Sequence, residues 1–389
     1  MHFHSLITTF ANPLIIMAGI YIHIPFCKQA CHYCDFHFST SMKNKEAMVS
    51  ALAKEILLRK DEVDETVETI YFGGGTPSVL SSAEINFLIQ TVYENFDVSQ
   101  NPEITLEANP DDLSNNRIIE LSKSRINRLS IGIQSFFEDD LQLMNRAHNA
   151  EEAKKSLFEA TKHFDNISID LIYGTPGMSN EKWKQNVETA LSFNIPHISS
   201  YALTVEPKTA LKKLIQTGKV NAPNDEVANA HFQILTQMLT ENGFVHYELS
   251  NFGKPDYFSK NNSAYWLGKK YLGIGPSAHS YDGISRSWNV SNNNLYLKAI
   301  EENELPSEIE ILTKTDRYNE YVMTGLRTVW GISLERIEKD FGPEYLEYLL
   351  SEAGNFITED LLSIENNILT TTQKGKFLAD GIASDLFWI

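Results

Sequence analysis

The sequence predicts an α/β fold: a partial (β/α)6 barrel followed by a small C-terminal α+β module of winged-helix-like type. Short β-rich segments alternate with helical segments from Gly19 to about residue 242. Strict alternation is typical of parallel strands joined by right-handed helical crossovers. After Gly243 the alternation stops, and from about Asn294 helical segments around one hairpin indicate a separate module.

The predicted barrel strands are short and rich in β-branched or aromatic residues, with helical periodicity between them. Ser81 to Glu84, for example, has the capping-box pattern that begins a helix. The strands are predicted at residues 19–26, 67–72, 102–110, 126–136, 166–177 and 197–207. The helical segments are predicted at residues 43–60, 81–96, 117–124, a stretch ending near 164, 180–193, 208–217 and 225–242.

The rest of the chain is predicted to form one more strand at residues 244–252 and an irregular, aromatic, glycine-rich stretch at 261–283. The C-terminal elements are predicted to be helices near 316–329 and 333–352, a hairpin at 361–372 and a helix from Gln373. Met17 begins a segment typical of a protein start, so the domains are predicted as a non-native or disordered extension at 1–16, the barrel with its cofactor sites at 17–290 and the module at 291–389.

The acidic composition of the chain limits the kinds of molecule that it is expected to bind. The chain of 389 residues has a formal net charge of −18, and residues 301–389 alone carry 18 acidic and 7 basic residues. Such an acidic surface repels phosphate backbones, so we expect no nucleic-acid partner. Residues 1–16 lack the Lys or Arg of a secretory signal, and no segment has a transmembrane pattern. We therefore expect a cytoplasmic protein without an integral membrane segment.

The three cysteines of the chain, Cys27, Cys31 and Cys34, lie within eight positions in C-x3-C-x2-C spacing. Clustered thiolates bind soft or borderline metals, with iron–sulfur clusters and zinc as the leading alternatives. A zinc site would need a histidine such as His23, His32 or His37, and no second cysteine pair is present. A disulfide would leave one thiol unpaired. Three ligands would leave one iron of a [4Fe–4S] cluster able to bind another molecule.

Several predicted strands end in residues suited to a ligand site. Gly73 to Pro77 follows one strand and precedes a helix, which allows close backbone approach and offers N–H groups. Strand ends of a βα barrel share one rim, where active sites lie. Polar side chains at or just beyond the other strand ends are Glu107, Gln134, Arg146, Asp170 and Tyr201. Alone, Arg146 could simply pair with Glu107 or Asp170.

These motifs together resemble the radical S-adenosylmethionine (radical SAM) superfamily. There, a three-cysteine loop holds a [4Fe–4S] cluster, SAM binds the open iron, and a GGxxP loop contacts the methionine part of SAM. The resemblance implies that Cys27, Cys31 and Cys34 bind the cluster. It also implies a SAM-cleaving reaction and an electron donor such as flavodoxin or ferredoxin.

The resemblance is closer to one branch. The segments YIHIPFC, YFGGGTPS, LEANP, SIGIQSF, NRAH, DLIYGTPG, SYALTVEP and LGIGPSAHS occur in order and resemble the oxygen-independent coproporphyrinogen III oxidase (HemN) family, including its HemW-type haem chaperones. The matching positions imply a set of residues around the cluster and SAM. They are Tyr21, Tyr33, Gly74, Gly75, Thr76, Glu107, Gln134, Arg146, Asp170, Ala202 and His279.

Two features favour the haem chaperones within that branch. The oxidases carry a fourth cysteine where this chain has Phe36, and a long N-terminal arm that has no counterpart if Met17 is the start. The chaperones carry an HNxxYW motif whose histidine is implicated in haem binding, whereas here Asn261 begins the segment NNSAYW. An amide is a poor iron ligand, so either another residue, such as His279 or His246, holds haem, or haem binding is weakened in this chain. The resemblance implies haem or porphyrin as ligand and an acceptor protein for haem.

Two alternative functions remain open at this stage. The first is oxidative decarboxylation of coproporphyrinogen III to protoporphyrinogen IX. The propionates of coproporphyrinogen III would need basic residues near the rim, such as Lys260, Lys269, Lys270 or Arg286. Haem carries propionates too, so these residues do not discriminate between the two ligands. The second is radical methylation or thiolation of tRNA, which the acidic module disfavours.

Overall fold

The computed structural model describes residues 17–389, so the predicted extension at residues 1–16 lies outside the described residues. The described chain forms one large sheet with helices packed against it and a smaller C-terminal sheet. The strands of the large sheet are β1 (Met17–Ile24), β2 (Thr66–Gly74), β3 (Val98–Ala108), β4 (Arg128–Gln134), β5 (Ile167–Tyr173), β6 (His197–Ala202), β7 (Val245–Glu248), β8 (Asn251–Gly253), β9 (Lys270–Ile274), β10 (His279–Tyr281), β11 (Ser285–Asn289) and β12 (Ser307–Ile311). The small sheet contains β13 (Ile332–Ser333), β14 (Leu362–Glu365) and β15 (Ile368–Thr371).

The helices of the barrel region follow the predicted order along the chain. They are α1 (Lys45–Leu58), α2 (Ser82–Asn95), α3 (Asn115–Ser122), α4 (Glu138–Leu143), α5 (Ala150–Ala160), α6 (Asn180–Ser192), α7 (Ala210–Gln216), α8 (Asp225–Glu241), α9 (Lys260–Trp266) and α10 (Asn293–Glu301). The C-terminal helices are α11 (Lys314–Leu326), α12 (Leu334–Phe341), α13 (Pro343–Thr358) and α14 (Ala379–Asp385).

The predicted α/β class is confirmed. Within the described residues, the large sheet has the order β12-β11-β10-β9-β1-β2-β3-β4-β5-β6-β8-β7. Strands β1 to β6 are parallel neighbours, as the alternating pattern predicted. Strand β9 adds a further parallel strand beside β1, which the sequence pattern did not indicate. The carboxyl ends of these strands therefore lie along one rim.

Two predicted segments differ from the structure. Residues 244–252 were expected as one strand, but β7 and β8 form an antiparallel pair. The Glu248 carboxylate accepts hydrogen bonds from the Ser250 backbone N–H and from the Asn251 side-chain amide, and these bonds stabilise the reversal. Residues 261–283 were expected to be irregular, but they contain most of α9 together with β9 and β10. These elements are too short for periodicity to separate them from a loop.

The two faces of the barrel strands have different tasks. Successive side chains of a strand point to opposite faces. In β1, Ile20, Ile22 and Ile24 are buried in the hydrophobic core that the sheet shares with the helices. Tyr21 and His23 alternate with them and line a cavity on the other face. Apolar burial thus stabilises one face, while the other is left for polar side chains and ligands.

A buried carboxylate holds the last strands of the large sheet against α1. Glu55 accepts hydrogen bonds from the Tyr296 hydroxyl at 2.6 Å, the Asn289 amide at 2.7 Å and the Gly275 backbone N–H at 2.7 Å. The Arg59 guanidinium pairs with the same carboxylate at 3.3 Å. A buried charge needs such partners, so this network fixes the strands that form one wall of the functional region.

The C-terminal elements occur in the order helix, strand, helix, helix, strand, strand, which is the winged-helix order. Their hydrophobic core is separate from the barrel core and begins at Tyr318. Before it, α10 packs Tyr296 and Ile300 into the barrel core, and β12 pairs with β11. Both elements follow residue 291, where the sequence predicted the module to begin. The module contacts the barrel through Arg327, whose guanidinium pairs with Glu248 at 3.2 Å.

Candidate functional site

The cysteine loop follows β1 and is held at both ends by backbone hydrogen bonds. The Cys27 N–H donates to the Ser39 carbonyl at 3.1 Å, and the Ser39 N–H donates to the Pro25 carbonyl at 2.9 Å. Further along, the His32 N–H donates to the Met144 carbonyl at 3.0 Å. The three cysteines are all unpaired thiols: Cys27 is buried, and Cys31 and Cys34 are half-buried.

The glycine loop after β2 lies directly against the cysteine loop. The Gly75 N–H donates to the Ile24 carbonyl at 2.9 Å, and the Thr76 N–H donates to the Phe26 carbonyl at 2.7 Å. A Cβ atom at Gly75 would lie 2.7 Å from both carbonyl oxygens, so only glycine allows this approach. The Thr76 hydroxyl then donates to the Cys27 sulfur at 3.2 Å.

Arg146 connects the cysteine loop to two barrel strands. Its Nη1 donates to the Cys31 sulfur at 3.2 Å, and its Nη2 donates to the Asn109 side-chain oxygen at 2.6 Å and to the Gly132 carbonyl at 2.9 Å. The Asn109 amide in turn donates to the Thr76 hydroxyl at 3.3 Å. Arg146 therefore does not pair with Glu107 or Asp170 in an ion pair; within the described residues it is bonded to a thiol and neutral oxygens.

Two carboxyl groups lie on the inner face of the barrel. Glu107 accepts a hydrogen bond from the Tyr71 hydroxyl at 2.7 Å. Burial raises the pKa of Glu107 to about 7, against the hydrogen bond from Tyr71, which lowers it. Burial likewise raises the pKa of Asp170 to about 6, although Arg128 and Arg146 lower it. Carboxyl groups with raised pKa values at the rim are suited to accept hydrogen bonds from a polar ligand that replaces the lost water.

A cavity of about 420 Å³, here called the first cavity, brings these groups together. Its volume lies within the usual range for small-molecule sites. All three cysteines line it. Most of the residues predicted to surround the cluster and SAM also line it, namely Tyr33, Gly74, Gly75, Thr76, Glu107, Gln134, Arg146, Asp170 and Ala202. Tyr201 lies on its wall as well.

Gln134 has an unusual backbone at this cavity. It ends β4 with a φ of 66°, the left-handed region that non-glycine residues rarely adopt. Such a conformation costs of order 1 kcal/mol and persists only where the surroundings impose it. With this backbone, the Gln134 side chain lines the first cavity. Its Nε2 lies 2.9 Å from the position that a Cβ atom at Gly132 would occupy.

The arrangement of the cysteines fits a cluster better than a zinc ion. Within residues 17–389, no three His, Cys, Asp or Glu side chains are close enough together to hold one metal ion. A [4Fe–4S] cluster binds each cysteine at a different iron, so it needs thiolates around a cavity rather than at one point. His32, one of the three histidines that a zinc site could use, is bonded through Nδ1 to the Leu143 carbonyl at 2.8 Å. Burial raises the pKa of Cys27 and Cys34 to about 11, so a metal must displace their protons.

Asn109 was not among the residues singled out from the sequence. It bridges Thr76 and Arg146, and it lines the first cavity. An Asn before a Pro is typical of a turn, so the sequence pattern alone does not indicate that this side chain belongs to a ligand site. Its place just after a strand end, in the segment LEANP, is the signal that could have identified it.

A second cavity, of about 620 Å³, adjoins the first. Asp35 and Phe36 line both. Tyr21 and His279, which were predicted to belong with the SAM residues, line the second cavity instead, together with Asn261. The Tyr21 hydroxyl lies 3.2 Å from His23 Nδ1. The residues predicted to surround the cluster and SAM are thus divided between two adjoining cavities.

The second cavity is aromatic and basic. Tyr265 and Tyr271 line it, with ring centroids 5.5 Å apart. Three cationic side chains also line it, those of Lys269, Lys270 and Arg286. In a chain of net charge −18, this concentration of positive charge suits a flat anionic ligand.

The histidines near this cavity differ in accessibility. His23 Nε2 lies 2.9 Å from the His37 carbonyl, and burial lowers its pKa to about 4. His37 Nε2 lies 2.7 Å from the Asn293 side-chain oxygen. His279 is exposed, and its ring centroid lies 6.0 Å from that of Trp288. His246 was also considered as a haem ligand, but it is buried against Phe252, with ring centroids 4.0 Å apart, and lines neither cavity.

Asn261 lies where α9 meets the inner face of the barrel. Its side-chain oxygen accepts a hydrogen bond from the Thr69 hydroxyl at 3.1 Å. The Lys260 and Asn261 backbone N–H groups both donate to the Glu103 carboxylate, at 3.1 Å. The start of α9 is therefore fixed to β2 and β3, and the side chain at position 261 faces the second cavity.

None of the helices in residues 17–389 combines the length and apolar character that a membrane span requires.

Comparisons with known proteins agree with this geometry. Residues 21–190 match the model of the radical SAM superfamily, and residues 312–378 match that of the HemN C-terminal domain. A protein named Heme chaperone HemW from Lactococcus lactis is 34% identical over 373 residues, which cover 93% of this chain and 97% of that protein. The protein of the same name from Bacillus subtilis is 32% identical over 372 residues, covering 94% and 98%.

A solved structure shows the same fold. Coproporphyrinogen III oxidase (HemN) from Escherichia coli, described as a radical SAM enzyme, superposes with a TM-score of 0.83. The match covers 99% of this chain and 93% of HemN at 24% sequence identity. At that identity, the likeness concerns the fold.

Proposed function

This chain belongs to the HemW family of the radical SAM superfamily, and we propose that it binds a [4Fe–4S] cluster, SAM and haem and passes the haem to acceptor proteins. Its place of action is the cytoplasm. Its electron donor is a small redox protein such as a flavodoxin or ferredoxin. The observation that carries the proposal is the pair of adjoining cavities, one lined by three cysteines and the other by aromatic and basic side chains.

Cys27, Cys31 and Cys34 hold the cluster in the first cavity. Three protein ligands would leave one iron open to SAM, and the cluster, when bound, would supply the electron for reductive cleavage of SAM. Thr76 and Arg146 donate hydrogen bonds to the sulfurs of Cys27 and Cys31. Such donors stabilise thiolates and tune the cluster, because they offset negative charge on sulfur.

SAM occupies the remainder of the first cavity. Gly74 and Gly75 present backbone close to the cysteine loop, where they contact the methionine part. Glu107 and Asp170 accept hydrogen bonds from the amino and ribose groups, which compensate these carboxyls for the water they have lost. Arg146 and Gln134 complete the polar wall.

Haem occupies the second cavity. Tyr265 and Tyr271 contact the porphyrin, and the nearby cations attract its propionates. His279 supplies the iron ligand, because it is exposed and lines this cavity whereas Asn261 offers only an amide. Phe36 separates the haem from SAM, because its side chain lines both spaces.

Anaerobic reconstitution tests the proposal. The wild type is expected to bind about four irons per chain, to absorb near 400 nm and to change the electron paramagnetic resonance of its reduced cluster when SAM is added. Replacing Cys27, Cys31 and Cys34 with Ala is expected to remove the iron and the SAM response. An unchanged iron content in the triple variant would refute the site.

Haem binding and transfer need a separate assay. Haem titration of the wild type is expected to shift the Soret band, and His279→Ala is expected to alter the shift. Haem-loaded protein is then mixed with an apo-haemoprotein, and transfer is followed by the acceptor's own spectrum. Absence of both a Soret shift and transfer would contradict the chaperone function.

One observation favours a second candidate function. Because Asp35 and Phe36 line both cavities, a coproporphyrinogen in the second cavity would lie next to SAM in the first. The reaction would then be oxidative decarboxylation to protoporphyrinogen IX. Anaerobic incubation of reconstituted protein with coproporphyrinogen III, SAM and reductant distinguishes the two functions. Protoporphyrinogen formation over many turnovers would replace the chaperone function, whereas haem transfer without it would exclude the oxidase.

A further inference from the structure

A cleft of about 400 Å³ lies between the barrel and the C-terminal module. On the barrel side, Tyr265, Tyr271 and Arg286 line it, and these residues also line the second cavity. On the module side, Arg317 on α11 and Arg336 on α12 line it. The cleft therefore adjoins the second cavity, and the two share these tyrosines and Arg286 as a common wall.

Three guanidinium groups converge on this cleft. Arg286 pairs with Glu320 at 2.9 Å, and Arg336 donates to Asp340 at 3.2 Å. For Arg317, the described residues provide no carboxylate within ion-pair distance. Its guanidinium is therefore available to a ligand that brings its own negative charge.

The charge balance of the cleft opposes that of the rest of the protein. The lining includes three arginines and two carboxylates, Glu320 and Asp340. The chain as a whole carries a net charge of −18. The cleft is thus a positive region in an acidic protein, and such regions concentrate anions. Arginine also suits carboxylates in particular, because its planar donors match the two carboxylate oxygens.

Tyr281 lines the cleft together with the three arginines. Burial raises the pKa of this phenol, and Glu320 adds to the rise, while Arg336, Arg286 and Arg317 each act to lower it. The Tyr281 ring also lies 6.2 Å from the Tyr271 ring, which faces the second cavity.

We infer that this cleft binds the carboxylate edge of the tetrapyrrole, with Arg317 and Arg286 holding the propionates while the ring lies against Tyr265 and Tyr271 in the second cavity. The inference rests on the proposed haem function and adds the recognition of the propionates. It also gives the module a role, because a ligand held by Arg317 on the module and Arg286 on the barrel joins the two parts.

Metal-free protoporphyrin IX provides the test, because its binding does not depend on an iron ligand. Its fluorescence is titrated with the full-length wild type, with Arg317→Met and with Arg125→Met. Arg125 is an exposed arginine that stacks on Tyr93 at 4.5 Å, away from the cleft, and serves as the matched control. Arg317→Met loses one charge-assisted contact, so it is expected to bind protoporphyrin IX about tenfold or more weakly than the wild type. Arg125→Met is expected to bind it as the wild type does.

Esterified porphyrin tests independently whether binding depends on the carboxylates of the ligand. Protoporphyrin IX dimethyl ester lacks both carboxylates, so it is expected to bind the wild type weakly and to show no difference between the wild type and Arg317→Met. Equal affinity of Arg317→Met and the wild type for the diacid would overturn the inference. So would tight binding of the ester.

Haem itself separates this inference from the proposed function. If haem binds the wild type and Arg317→Met equally, the cleft does not hold the propionates, while the haem function stands. If the wild type binds neither haem nor protoporphyrin, the proposed function is wrong and the inference falls with it. Arg317→Lys keeps the charge, so it is expected to bind protoporphyrin more tightly than Arg317→Met does. Equal weakening in both would indicate a structural rather than a charge effect and would also overturn the inference.

Discussion

The two adjoining cavities are built in different ways. The first cavity is lined by loops that follow consecutive parallel strands, so its groups come from one rim of a regular barrel. The second cavity combines residues of β1, near the start of the described chain, with residues of α9, β9, β10 and β11, which form one later segment at 260–289. The first is rich in hydrogen bonds between its own residues, whereas the second has aromatic walls and cations. The first cavity is thus organised mainly by polar contacts among its own residues, and this difference supports the proposed division of ligands between the two cavities.

This difference also explains what the sequence could predict. The cysteine spacing, the glycine loop and the polar residues at strand ends all belong to the first cavity, and they occur in short motifs. Because parallel strands share a rim, their common location follows from the alternating pattern alone. The six parallel strands and the winged-helix-like module were predicted for the same reason, since hydrophobic periodicity shows them directly.

The second cavity could not be predicted in the same way. Strand β9 lies beside β1 only because the chain returns across the sheet after α9, and no local pattern encodes that pairing. The family resemblance assigned Tyr21 and His279 to the surroundings of SAM, and in this structure their side chains line the second cavity. The direction of a side chain depends on strand register, which short motifs leave open.

Gly75→Ala is expected to have the largest effect and to act on the first cavity alone. The new Cβ would meet the carbonyl oxygens of Ile24 and Phe26 at 2.7 Å, so the glycine loop must move away from the cysteines. We expect loss of SAM binding and destabilisation by about 2 kcal/mol, measured by the cluster's response to SAM and by thermal unfolding.

Gly354→Ala is the matched control for this substitution. Gly354 lies in α13 with no atom within 4 Å of the added Cβ, so the change should stabilise the helix by about 0.5–1 kcal/mol. Haem affinity should be unchanged in both variants. A Gly75→Ala protein with normal SAM binding would show that the close approach of the two loops is unnecessary.

Arg146→Lys is expected to have the second largest effect, on retention of the cluster in the first cavity. Lysine cannot reach the Cys31 sulfur, the Asn109 oxygen and the Gly132 carbonyl in one planar arrangement. Partners of metal ligands typically contribute 10–100-fold to metal affinity, so we expect cluster retention to fall by about that factor during chelator challenge. Haem affinity should remain as in the wild type. Equal loss of cluster and haem would show that the two cavities are not independent.

Asn261→His probes the second cavity. An imidazole here can bond iron, whereas the natural amide accepts a hydrogen bond from Thr69. We expect haem to bind about tenfold more tightly, with a changed Soret position, while iron content and the SAM response stay constant. Asn261→Gln controls for loss of the Thr69 contact. An unchanged Soret band in the histidine variant would mean that the haem iron lies elsewhere.

Glu107→Gln is expected to show its effect as a pH dependence of stability. Burial raises the pKa of Glu107 from 4.5 to about 7, so the folded protein binds a proton that the unfolded chain has released between those pH values. This contribution to stability is present at low pH and is lost as the pH rises through 7. The variant removes the ionisable group, so its unfolding temperature relative to the wild type should be higher at pH 8 than at pH 5.

Replacement of the exposed Glu338 by Gln controls for the loss of one charge. The comparison uses the protein without cluster or SAM, because either ligand would change the surroundings of Glu107. An equal difference between Glu107→Gln and the wild type at both pH values would show that the Glu107 carboxyl is not protonated by folding.

Simultaneous binding of SAM and haem is the most direct test that the two cavities are separate sites. The reduced cluster of the reconstituted protein is observed by electron paramagnetic resonance with and without SAM, before and after saturation with haem. SAM is expected to change the cluster signal in both cases, because SAM and haem occupy different cavities. If haem abolishes the response to SAM, the haem lies in the first cavity, and the division of tasks between the two cavities is wrong.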